Sequence, residues 1–167
     1  MTRETKVIQG VTCTVVYDVA TEDGVQIERT WDWYAQDTQG NVWYFGELSL
    51  ELVNGEWVVS DGSWEAGVDG AQAGFIMKAD PRVGDTYRQE YYAGHAEDMA
   101  RVLSTDASVS VPYGTFDDVL VTREWTPLEP GVAEKKFYGE NVGLLRTTDV
   151  RRGSGEMQLV SVSTPDD

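Results

Sequence analysis

The sequence predicts an all-β protein, a single antiparallel barrel or half-barrel of about nine or ten strands with one long glycine-rich loop. Three observations carry that prediction. Runs that alternate apolar and polar residues recur along the whole chain, the period a half-buried strand requires. Turn residues punctuate these runs at short intervals. Helical periodicity is almost absent; its best stretch, Ala96 to Leu103, allows at most one short helical turn. No internal repeat or linker interrupts the pattern, so residues 1–167 read as one domain.

The first strand is expected from Lys6 to Ala20, ending at Glu22-Asp-Gly24. The second, Val25 to Gln36, puts Ile27, Arg29, Trp31 and Trp33 on one face and Glu28, Thr30, Asp32 and Tyr34 on the other. Asp37-Thr-Gln-Gly-Asn41 is turn chemistry. Val42 to Leu52 follows, with Val42, Tyr44, Leu48, Leu50 and Leu52 read as one face. Asn54-Gly55 is a strong hairpin signal into Trp57-Val-Val-Ser-Asp61. From Gly62 to Asp85 regularity fails, and Gly62, Gly67, Gly70 and Gly74 read as a mobile cover, anchored by Trp64, Phe75, Ile76 and Met77. Further strands are expected at Thr86–Tyr92, Met99–Val111, Phe116–Trp125, Ala133–Tyr138, Gly143–Val150 and Met157–Ser163, with Arg151-Arg-Gly-Ser-Gly155 as the last turn.

Charge narrows the function classes. The chain carries 29 acidic and 13 basic residues, a net charge of −16, and only four of the basic residues are lysines. Such an excess opposes nucleic acid and anionic membranes, and no apolar run is long enough to span a bilayer. A lysine-poor, acid-rich surface fits a salty or secreted setting, or a bias in codon usage. The abrupt start at Met1-Thr-Arg-Glu reads as an initiator Met replacing a removed leader, which implies an extracytoplasmic mature protein; a cytoplasmic origin stays open. Cys13, the only cysteine, excludes an intramolecular disulfide and a Cys-based metal site. His95, the only histidine, excludes a His-pair zinc site and reads as a surface residue.

Two sets of segments carry a resemblance. Val111-Pro-Tyr-Gly-Thr-Phe116, Glu124-Trp-Thr-Pro-Leu-Glu129, Lys136-Phe-Tyr138 and Val142-Gly-Leu-Leu145, taken with Val42-Trp-Tyr-Phe-Gly-Glu47 and Gly62-Ser-Trp-Glu-Ala-Gly-Val-Asp-Gly70, resemble a group of uncharacterised secreted bacterial β-sheet proteins. The Gly-Thr-Phe and Val-Gly-Leu strands also look like lipoprotein-carrier-like and lipocalin-like β-barrels. That likeness implies an antiparallel sheet wrapped around an apolar cavity, and it brings no catalytic residue.

Site candidates follow from residue type. Trp31, Trp33, Trp43, Tyr44, Trp64 and Tyr87 offer flat walls and Met77 and Met99 adaptable ones. The favoured reading is a binding protein for a small hydrophobic or aromatic ligand in a β-barrel cavity, with no cofactor. Each ring is otherwise ordinary core. The alternative is an enzyme in which Asp32, Glu47, Glu65, Glu90 or Glu124 serve as an acid–base pair with Arg88 or Arg123, Tyr34 sharing the face of Asp32. Asp37 with Asn41, and Asp69 with Glu65, could offer oxygens to calcium, but neither has EF-hand spacing. No metal is therefore assigned. Ser63 sits in no nucleophile elbow.

Overall fold

A computed structural model describes residues 4–149 and 156–163; the expected turn at 151–155, the end of the strand at Val150 and the start of the chain lie outside them. The described residues form fourteen strands and no helix. They make two antiparallel sheets, of eight and six strands, and no closed barrel is found among them. The chain divides into two compact units, Met1–Ala79 with Arg88–Asp98, and Asp80–Tyr87 with Met99–Asp167.

The first unit is built on β4 (Val42–Val53), which lies against β3 (Val25–Gln36) along one edge. Three short segments pair in succession along its other edge: β5 (Glu56–Val59), β6 (Trp64–Glu65) and β7 (Gln72–Met77). The stretch expected to be a mobile cover is therefore two strands of the sheet. Trp64, Ala66 and Ala71 within it are buried. β1 (Thr5–Ile8) and β2 (Val11–Glu22) extend the sheet beyond β3, and β9 (Glu90–Tyr91) pairs with β7.

Two local features set the geometry. Gln9-Gly10 turns back with both residues at positive φ, so the expected first strand is a hairpin, β1–β2. Glutamine is not a residue that advertises such a turn. The second feature is a bulge in β4. Asp32 pairs with Glu47 but Tyr34 pairs with Tyr44, so β4 carries one extra residue there. Gly46 sits at φ 129 at this point, and a Cβ on it would collide with the carbonyl of Trp64. The bulge inverts the alternation: Leu48, Leu50 and Leu52 stay with Trp31, while Tyr44 joins Tyr34, Asp32 and Glu47 on the opposite face. The single face expected from Val42 to Leu52 is thus two half-faces, and the extra residue is the reason.

The core of this unit takes in Ile8, Cys13, Val15, Trp33, Phe45, Ala66 and Ala71, together with Tyr44, Trp64 and Ala96. Lys6 Nζ lies 3.3 Å above the Trp33 ring and 2.6 Å from Glu65 Oε2, which caps the ring with a neutralised charge. Cys13 is fully buried and His95 is exposed, stacked on Tyr92 at 4.4 Å.

The second unit is a meander. β10 (Met99–Val111) and β11 (Gly114–Trp125) form a long hairpin, followed by β12 (Glu134–Gly139), β13 (Gly143–Asp149) and β14 (Glu156–Gln158). β8 (Thr86–Arg88) pairs at the far side of β10. Where a helical turn was the most that Ala96 to Leu103 allowed, β10 begins, with Ala100 and Val102 buried on alternate positions.

Candidate functional site

Residues adjacent on a strand point to opposite faces, so the β3–β4 pair carries two distinct arrangements. One face holds a pocket and the other a set of buried carboxyl groups.

The pocket has a volume of about 710 Å³ and is lined by Val11, Ala35, Trp43, Phe45, Ala71 and Ala73, with Gln9, Gln36, Asp37, Thr38 and Gln72 as its polar members. The β1–β2 turn supplies Gln9 and Val11. Ala35 and Trp43 are cross-strand partners, and the β6–β7 segment forms the far wall. Trp43 packs on Phe75 with ring centroids 4.1 Å apart. Its indole N–H donates to Asp37 Oδ2 at 2.9 Å. The remaining acceptor directions of Asp37 are taken by the Asn41 side-chain amide at 2.9 Å and the backbone N–H groups of Gln39 at 2.8 Å and Asn41 at 3.0 Å. These four donors hold its carboxyl down at about 2, the Trp43 and Asn41 side chains contributing most. A carboxylate whose four lone pairs already serve its own turn has none to offer calcium.

On the opposite face the Tyr44 hydroxyl lies 2.7 Å from Asp32 Oδ1 and 2.6 Å from Glu47 Oε2. A phenol has one proton and can donate to only one of them. If both contacts are hydrogen bonds, one carboxyl must be protonated and donate to the phenolic oxygen. Burial agrees. It pushes Glu47 up to about 7 and raises Asp32, with the neighbouring acids adding to the effect. Glu90, on β9, accepts the Trp64 indole N–H at 2.7 Å. Burial, then Asp98 and Glu47, push its carboxyl up to about 8. Tyr34 stacks on Tyr44 at 4.8 Å, and Trp64 meets Tyr44 edge-on at 5.4 Å. The set is a proton-holding cluster walled by aromatic rings. Among the described residues no three acidic, His or Cys side chains converge so as to hold a metal ion.

The nominated residues therefore separate. Asp32, Tyr34, Tyr44, Glu47, Trp64 and Glu90 come together in the carboxyl cluster, and Trp43 lines the pocket. Trp33 is buried core beneath Lys6, and Trp31 packs on Tyr17 at 4.9 Å on a half-exposed part of the sheet. Met77 pairs with Val42 at the end of β7. Arg88 lies over the Tyr91 ring and Arg123 over Trp125, each as a cation–π contact. Tyr87, Met99 and Glu124 belong to the second unit. There Glu124 accepts from Thr122 at 2.7 Å and Tyr138 at 3.0 Å, and pairs with Lys136 Nζ at 2.9 Å. Sequence reasoning missed Gln9, Val11, Ala35, Gln36, Phe45, Ala71, Gln72 and Ala73 as pocket lining. The Gly-Ala pattern of 70–74 was the one available signal, since small residues leave room. No protein-family model, curated protein or solved structure matches this chain.

Proposed function

We propose that this protein is an extracytoplasmic binding protein for a small molecule with an apolar or aromatic body, the first unit's sheet serving as a half-barrel. The observation that carries the reading is the pocket of about 710 Å³ against Trp43 and Phe45, a size and lining suited to one small ligand. The acid-rich, lysine-poor composition supports the compartment. The test is isothermal titration calorimetry with small ring compounds on the wild type and Trp43→Ala. Binding that survives loss of the Trp43 ring undiminished places the ligand elsewhere and sinks the reading.

A second reading is supported by the Tyr44 hydroxyl set between Asp32 and Glu47, where a hydrogen bond to both requires a proton on one carboxyl. Carboxyl groups that hold protons near neutral pH are the kind that serve as general acids and bases. In this reading Glu47 and Glu90, both partly exposed, are the acid–base pair, with Asp32 and Tyr44 as positioning residues. Arg88 takes no part, since it is engaged on Tyr91. A turnover screen of small esters, glycosides and enolisable ketones decides it: activity lost in both Glu47→Gln and Glu90→Gln supports the reading, and none in the wild type removes it.

A further inference from the structure

The chemistry of the pocket's one ionisable lining residue points to a class of ligand. The inference rests on the binding reading above and goes beyond it. Among the lining residues Asp37 alone carries a charge; the others are amides, a hydroxyl and apolar groups. The four groups that hydrogen-bond its carboxylate are two backbone N–H groups, a carboxamide and an indole. All four are neutral, so they hold the charge in place without cancelling it. One of them is the Trp43 indole itself. An indole whose N–H donates to a carboxylate is more electron-rich on its π face, which strengthens its attraction for a cation. The chain as a whole carries −16, so its long-range field draws cations and repels anions.

We propose that the pocket takes an organic cation, an amine or quaternary ammonium on an apolar or aromatic body, and discriminates against carboxylate-bearing ligands of the same shape. The apolar body lies against Trp43, Phe45 and the alanines. The cationic end is held near Asp37 by charge, since the saturated carboxylate has no lone pair left for a direct bond. Gln9, Gln36, Thr38 and Gln72 supply neutral hydrogen-bonding groups at the rim.

The test uses one ring system at three charges: naphthylmethylamine, naphthylmethanol and naphthoate, titrated into the full chain by calorimetry. The amine is expected to bind at least about tenfold more tightly than naphthoate at low salt, with the alcohol between them. In about 0.5 M salt the Debye length falls to a few ångströms and the long-range field is screened. A preference of a few-fold is expected to remain there, because Asp37 acts at short range. Asp37→Asn should abolish that residual preference. If the variant fails to fold, the salt series on the wild type still decides. Naphthoate binding as tightly as the amine, or a preference that vanishes completely in salt, overturns the assignment to Asp37 while leaving the binding reading intact. Failure of all three compounds to bind, or equal binding by Trp43→Ala, removes the binding reading itself.

Discussion

Glu47 in the first unit and Glu124 in the second are both carboxyl groups on interior strands, and each accepts from a tyrosine hydroxyl. They differ in what else surrounds them. Glu124 meets the Lys136 ammonium at 2.9 Å and the Thr122 hydroxyl. Glu47 meets a phenol that also contacts Asp32, with Asp32, Glu28 and Asp98 acting on it through space. A buried acid can be accommodated by a cation or by a proton. The second unit uses the cation, and the first uses protons. Burial alone does not decide between these solutions; the residue one strand across does.

The comparison breaks hardest at Lys136. Lys136→Met leaves Glu124, with a side chain only 7% exposed, without its cation, and is expected to cost about 3 kcal/mol of stability. Replacing both, as Glu124→Leu with Lys136→Met, should recover most of that loss. Chemical denaturation of the three proteins at one pH measures it. A single variant as stable as wild type would show that the pair contributes nothing. The next effect is on pH. Burial pushes the Glu47 carboxyl up to about 7 and that of Glu90 up to about 8, above the ordinary 4.5. Between those values the native state holds protons that the unfolded chain has released. Their stabilising contribution is therefore full below about 4.5 and is lost as pH rises through about 8. The unfolding midpoint is therefore expected to fall across that window. Five of the six tryptophans lie in the first unit, so their fluorescence during denaturation at pH 5 and pH 8.5 follows the right region. Equal midpoints would show that the carboxyls ionise at no cost.

Much of the framework could be read from the sequence because it depends on local pattern. The alternation on β3 placed Asp32 and Tyr34 opposite Trp31 and Trp33, as found. Asn54-Gly55 made its hairpin, with both residues at positive φ. What was illegible depended on register. Nothing in Val42-Trp-Tyr-Phe-Gly-Glu47 announces that one residue is extra, because Gly46 could equally be an ordinary strand glycine. Its need becomes visible only with the Trp64 carbonyl packed against it. The join of Tyr44 to Glu47, and with it the cluster, follows from that one residue. The pocket was illegible for a similar reason: Gln9 and Ala71 are brought to Trp43 by pairings far apart in sequence.

The hydroxyl between the two carboxyls gives the next, smaller effect. Tyr44→Phe removes the hydroxyl that links Asp32 to Glu47 and is expected to cost about 1 to 2 kcal/mol at pH 6. Infrared spectra of the carboxyl stretch should show the protonated band shifted in the variant. An unshifted band would mean that the proton resides elsewhere.

The smallest effect is also the most discriminating, since it places one substitution at two buried acids. Glutamine matches a protonated glutamic acid in shape, and its carbonyl can accept the hydrogen bond that Glu90 now accepts from Trp64. It cannot match a carboxylate beside an ammonium. Glu90→Gln is therefore expected to change stability at pH 6 by no more than about 0.5 kcal/mol. At pH 9, where Glu90 is ionised among Asp98, Glu47 and Asp32, the variant should be the more stable protein, because a neutral amide replaces a repelled charge. Glu124→Gln should instead destabilise at both pH values, by about 1 to 3 kcal/mol, because it takes the charge from Lys136. Denaturation curves of the two variants at pH 6 and pH 9 give four comparisons with wild type. If Glu90→Gln destabilises at pH 6 as much as Glu124→Gln does, then Glu90 is held there as a charge, and the proton-holding account of the first unit fails.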